Sequence, residues 1–122
     1  MSVKFSREHQ WIDTATPEAA RVGITPFAQD TLGDIVFVEL PAVGKSFAAG
    51  EVAAIVESVK TAADVYMPVA GTIVAVNEAL RADPALANTD PLGAAWFFTV
   101  QVADPAEFDA LLDDAAYQAF AT

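Results

Sequence analysis

Two apolar runs separated by a short polar interruption constrain this chain most. Residues 52–56 (Val-Ala-Ala-Ile-Val) lead in and residues 65–67 (Val-Tyr-Met) lead out. Glu57, Ser58, Val59, Lys60, Thr61, Ala62, Ala63 and Asp64 lie between them. Such runs, bounded by small and polar residues, read as two strands joined by a tight exposed turn. The turn holds up one amine. Of the three lysines, Lys4, Lys45 and Lys60, only Lys60 sits between two strands. Lysine ordinarily ends in solvent, so a solvated turn residue is one reading. The other is an amine that a partner enzyme reaches and acylates without unfolding anything.

Similar punctuation runs through the chain. Residues 3–5, 10–12 and 21–24 read as short strands. Residues 25–33 read as a short helix, with Thr25 as N-cap, Pro26 at the first helical position and Gly33 as a left-handed stop. Residues 34–40 are rich in β-branched and aromatic side chains and predict a strand closed by Pro41. Gly50 to Glu57 faintly echoes Gly71 to Glu78, each a glycine followed by an apolar strand. The echo predicts two similar β arms folded against each other with Lys60 at their join. Residues 77–86 read as short helical pieces, residues 88–93 as a loop and residues 96–102 as the last strand. A final helix is predicted from Asp104 as cap, Pro105 at the first position and Glu107 completing a capping-box arrangement. It would bury Phe108, Leu111, Leu112, Ala115 and Phe120 along one face.

The 122 residues suit one domain over 1–122. A chain of this length buries a sufficient core without staples. The absence of cysteine removes disulfides and thiolate metal sites. Seventeen acidic against six basic side chains give a net charge of −11. That surface repels phosphate backbones and anionic lipid, which argues against nucleic-acid and membrane partners. No apolar run has membrane-spanning length, and the first residues have neither a signal core nor a transit-peptide pattern. The expected location is cytoplasmic.

Recognisable catalytic constellations do not emerge. His9 is the single histidine, so nucleophile–base catalysis would have to run through it, and no serine sits in a supporting strand–elbow–helix context. Val43-Gly44-Lys45-Ser46 lacks the upstream glycine spacing of a phosphate loop. Asp113-Asp114 reads as a solvated face.

The ordered set of motifs resembles the glycine cleavage H-protein family over nearly the whole chain. The match runs through His9-Gln10-Trp11, Val22-Gly23-Ile24-Thr25, Ala28-Gln29-Asp30 and Leu32-Gly33-Asp34-Ile35-Val36-Phe37-Val38-Glu39-Leu40-Pro41. It continues through Val56-Glu57-Ser58-Val59-Lys60 with Asp64, Pro68-Val69-Ala70-Gly71, Asn77-Glu78-Ala79-Leu80, Asn88-Thr89-Asp90-Pro91 and Trp96. It ends in the Asp104-Pro105 segment near Tyr117. Biotin carriers resemble this hairpin but typically flank the lysine with methionines, where this chain has Val59 and Thr61. Lipoyl domains of 2-oxo-acid dehydrogenases usually place an acidic residue where Val59 stands.

The resemblance implies a mainly β fold with peripheral helices. Specifically, it implies a flattened β-sandwich of the barrel-sandwich hybrid type, with the lysine at a hairpin tip and a C-terminal helix. It implies a non-catalytic carrier whose Lys60 is joined through an amide to lipoate. The arm would shuttle an aminomethyl intermediate from glycine decarboxylase to aminomethyltransferase, and dihydrolipoamide dehydrogenase would reoxidise it. A lipoate-attaching enzyme would recognise Glu57, Ser58 and Val59. His9, Gln10 and Asp64 would border a resting cleft for the arm, with Gln10 standing where the family commonly has glutamate. Relay of lipoyl groups to other proteins, biotin carriage and an unmodified interaction module are the competing readings.

Overall fold

The computed structural model describes residues 3–121. Among them, nine strands form two antiparallel, unclosed sheets. The larger runs, in spatial order, β1 (Val3–Phe5), β2 (Gln10–Asp13), β3 (Ala20–Ile24), β9 (Phe98–Val102), β8 (Gly71–Val76) and β5 (Ser46–Phe47). The smaller places β6 (Val52–Ser58) between β4 (Ile35–Glu39) and β7 (Ala62–Tyr66). One hydrophobic cluster draws on both sheets. It takes Ile12, Val22, Ile73 and Val100 from the larger and Val38, Val56 and Val65 from the smaller. The molecule is a flattened β-sandwich, and burying each such side chain contributes about 1.5–3 kcal/mol.

Close packing fixes Gly71 as glycine. A Cβ on Gly71 would lie 2.4 Å from Val100 Cγ1 and 2.5 Å from the Gln101 carbonyl oxygen. β8 therefore approaches β9 as only glycine permits. The two echoing arms lie in opposite sheets around one core, but Lys60 does not join them. β6 and β8 belong to different sheets, and Lys60 joins β6 to β7. Both arms contribute to the core, Val56 from β6 and Ile73 from β8, while the hairpin partner of β6 is the strand directly after the turn.

Short helices pack around the sandwich: α1 (Pro26–Leu32), α2 (Glu78–Ala82) and α3 (Leu86–Thr89). Thr25 caps α1, its side chain accepting from Ala28 N at 3.3 Å. Gly33 ends α1 at φ +80°, ψ −149°. This is not the left-handed stop expected but an extended positive-φ conformation essentially restricted to glycine. α3 also takes in Asn88 and Thr89, where a loop was expected. The last strand begins at Phe98, not at Trp96.

The predicted C-terminal helix is two pieces. A 3₁₀ segment spans Pro105–Ala110, and α4 spans Asp114–Ala121. Between them Leu112 adopts β pairing with Phe5, each backbone N donating to the other's carbonyl at 2.8 Å. Those two bonds demand an extended residue, so the helix cannot pass through it. Glu107 likewise leaves its expected box, and its carboxylate accepts from Ala70 N at 3.0 Å. The break rotates α4. Ala115 is exposed and Phe120 is half-exposed beside the His9 ring, while Tyr117 turns inward onto Phe5 with ring centroids 4.6 Å apart. Among the described residues, no helix is long and apolar enough to cross a membrane.

Candidate functional site

One hydroxyl closes the β6–β7 tip. Glu57 pairs with Ala62, and Ser58 N donates to Thr61 O at 2.8 Å. Ser58 Oγ accepts from Lys60 N at 3.3 Å and Thr61 N at 3.1 Å, and donates to Thr61 O at 3.1 Å. Both lone pairs and the proton of Ser58 are thus engaged, which suits a serine at a turn. Val59 and Lys60 form the crest, Val59 being 70% exposed.

The crest is also fastened from behind. Val59 N donates to Asp34 O at 3.1 Å, tying it to the junction between α1 and β4. Asn88 clamps that junction. Its Nδ2 donates to Gly33 O at 2.8 Å and Gln29 Oε1 at 2.9 Å, and its Oδ1 accepts from Ile35 N at 2.9 Å. Lys60 is exposed, and its ammonium has no hydrogen-bond or ion-pair partner among the described residues. Its stem passes over Gly33, with Cε 3.8 Å from the point a Cβ there would occupy. Glu57 is exposed on β6, and Ser58 is spent on the turn.

Beside the hairpin lies a cleft of about 260 Å³. Ile24, Phe27, Leu32, Val56 and Val65 give it an apolar lining, and Glu8, His9 and Asp64 border it. Asp64 lies four residues beyond Lys60, as the third residue of edge strand β7. It pairs with Ile55, in the register that turns it away from core-facing Val56. Its exposed carboxylate therefore belongs to the rim. Gln10 contributes to the wall, but its amide is consumed internally. Oε1 accepts from Ser6 Oγ at 2.8 Å, and Nε2 donates to Glu8 O at 2.7 Å. Glu8 supplies the acid on this side.

His9 is pinned. Its backbone has φ +68°, its N donates to Ser6 O at 3.2 Å, and its O accepts from Thr25 N at 3.0 Å. Its ring lies 4.4 Å from that of Phe27. Nδ1 is 2.7 Å from Tyr117 Oη, which is 2.6 Å from Thr25 Oγ1. Burial pushes the His9 pKa below 6.5, and the Glu8 carboxylate offsets part of that shift. Burial raises the Tyr117 pKa, opposed by its hydrogen bond with Thr25. The structure thus brings His9 and Asp64 to one cleft and keeps Lys60 at the adjoining tip. Sequence reading missed Glu8, Phe27 and Tyr117 there. Nothing periodic links Tyr117 to His9 across 108 positions.

The lining of the cleft is chemically compatible with an acyl chain bearing a cationic end. Its walls are apolar where such a chain would lie, and its rim is acidic where a cationic end would sit.

Comparison with known proteins agrees in family. The glycine cleavage H-protein family model matches residues 3–122. The glycine cleavage system H protein of Methylocella silvestris is 50% identical over 119 residues, covering 98% of this chain and 94% of its own. The namesake from Chromobacterium violaceum is 51% identical over 115 residues, covering 94% of this chain and 90% of its own. The crystal structure of a glycine cleavage system H protein from Mycobacterium marinum superposes with a TM-score of 0.85 at 43% identity. That match covers 97% of this chain and 94% of the other.

Proposed function

The chain belongs to the glycine cleavage H-protein family, lipoyl carriers of the glycine cleavage system, and from that premise we propose that Lys60 is the residue that carries the lipoyl group. The observation that carries the assignment is an exposed amine, without a partner among the described residues, on a turn whose backbone is fixed from both sides. A fixed turn lets an attaching enzyme bind a preformed shape, with little ordering cost at the encounter. Glu57, Val59 and the Ser58-closed turn are the recognition features. Once acylated, Lys60 loses its charge, so nothing at the tip holds the arm by ion pairing. When bound, the group supplies a dithiolane that takes up a one-carbon amine, surrenders it and is reoxidised by thiol–disulfide exchange.

The chain's own contribution is physical. Tethering at Lys60 keeps the arm at high local concentration before glycine decarboxylase, aminomethyltransferase and dihydrolipoamide dehydrogenase in turn. The acidic surface steers encounters with basic faces of partners. The cleft excludes water from the parked arm, and Asp64 and Glu8 meet cationic charge at its rim. Bond-making belongs to the partners, and the carrier is non-catalytic.

The test is intact mass and peptide mapping after expression with lipoate and a lipoate-attaching enzyme. A single lipoyl increment on the Lys60 peptide, absent in Lys60→Arg, is expected. An unmodified wild-type chain, an increment surviving Lys60→Arg, or a biotin increment would refute the assignment.

A further inference from the structure

We propose that Tyr117 is a positioning residue for the arm: its hydroxyl, held by Thr25, orients the His9 imidazole so that Nε2 receives a cationic amine brought into the cleft. The inference rests on the assignment of Lys60 above. It adds a role for α4, which lies far from the hairpin in sequence.

Tyr117 is 3% exposed and Thr25 fully buried. The phenol oxygen sits 2.6 Å from Thr25 Oγ1 and 2.7 Å from His9 Nδ1. A hydroxyl has one proton, so between two partners it donates to one and accepts from the other. The relay therefore has a direction. In one, Thr25 donates to Tyr117, Tyr117 donates to Nδ1, and the imidazole proton sits on Nε2. In the other, Nδ1–H donates to Tyr117, Tyr117 donates to Thr25, and Nε2 is a bare acceptor. Thr25 Oγ1 accommodates the second arrangement with one lone pair on Ala28 N and the other on Tyr117.

A cationic amine has only donors, so it selects the second direction. Among the described residues, Nε2 has no partner within the chain. The ring cannot swing freely to meet a ligand. Phe27 lies against it at 4.4 Å, Phe120 at 5.8 Å, and its backbone is bonded at both N and O. The acids lining the same cleft as His9 are Glu8 from its own turn and Asp64 from β7. Both keep an ammonium charged at the rim. Burial, which favours the neutral imidazole, suits an acceptor.

With one histidine in the chain, imidazole 15N signals belong to His9 without ambiguity. The first readout needs no variant. In the lipoylated wild type, loading the arm with the amine should move the His9 proton toward Nδ1, changing the tautomer ratio about three-fold or more. The second readout is loss of the amine from the loaded arm to water. Tyr117→Phe keeps the ring on Phe5 and removes only the hydroxyl. His9→Asn keeps a residue tolerant of positive φ. Each should speed the loss about ten-fold, the scale of a hydrogen bond to a charged group. Because Tyr117 acts through His9, the double variant should be no faster than His9→Asn alone within about two-fold. An unmoved tautomer, or a double variant about a hundred-fold faster, overturns the role of Tyr117 while leaving Lys60 as the attachment site. A wild-type chain that takes no lipoyl group overturns both readings.

Discussion

Replacing Asn88 by alanine removes three hydrogen bonds at once, those with Gly33 O, Gln29 Oε1 and Ile35 N. Their consequences differ. Ile35 is 4% exposed, so its N–H is left without water or partner, a loss of about 1–3 kcal/mol. Gly33 is half-buried and its carbonyl can partly rehydrate, so that bond contributes about 0.5–1 kcal/mol. Gln29 can swing its amide to solvent at almost no loss. Alanine within α3 returns roughly 0.5 kcal/mol of helix propensity. The balance is about 2 kcal/mol. For a domain of this size each kcal/mol moves Tm by roughly 3–6 °C, so the shift is about 6–12 °C. The loss is local as well as global, because Asp34 O, which fastens Val59, lies between Gly33 and Ile35. Amide exchange at Ile35 and Val59 should quicken, and lipoylation kcat/KM should fall with Lys60 untouched. Calorimetry and exchange measured together decide the matter. A Tm within about 2 °C of wild type, with unchanged exchange at Ile35, would show that the clamp reasoning is wrong.

Ser58→Ala strips the turn hydroxyl at an exposed site where water substitutes, so global stability should fall by only about 0.5–1 kcal/mol. Amide exchange at Lys60 and Thr61 should nonetheless rise several-fold, and unaltered exchange there would contradict the turn geometry. Gly71→Ala forces a Cβ into Val100 and the Gln101 backbone; thermal unfolding should report a loss of about 3 kcal/mol or more, and a wild-type Tm would contradict the close approach. His9 titrates below 6.5 when folded, so the unfolded chain binds more protons between the folded value and 6.5, and stability falls as pH drops through that window. His9→Asn should lose that component, and identical Tm–pH slopes for the two proteins between pH 7.5 and 5 would refute it.

Most strands, the Thr25 cap, the glycine ending α1 and the lysine crest were legible because each is a local matter; β5 (Ser46–Phe47) was not, and β6 and β7 extend to Ser58 and from Ala62, into residues expected as the turn. β-branching, a capping hydroxyl, a backbone without Cβ and a polar turn act within a few residues. Motif order over nearly the full length conveyed the family, and with it the expectation that His9 and Asp64 flank one cleft. The C-terminal segment shows where local signals stop. Its sequence reads as one helix, yet Leu112 is extended because Phe5, 107 positions earlier, offers it two backbone hydrogen bonds. That break turns Tyr117 inward and leaves Phe120 only half-covered, beside the His9 ring. Gln10 looked available to an arm, but Ser6 and the Glu8 carbonyl take its amide, a consequence of the β1–β2 turn. Composition and periodicity therefore determined which segments extend or coil and which amine stands at a tip. Which groups converge on the cleft, and which polar atoms there stay unspent, was decided by tertiary packing, because hydrogen bonds between distant segments depend on proximity that local preferences do not specify.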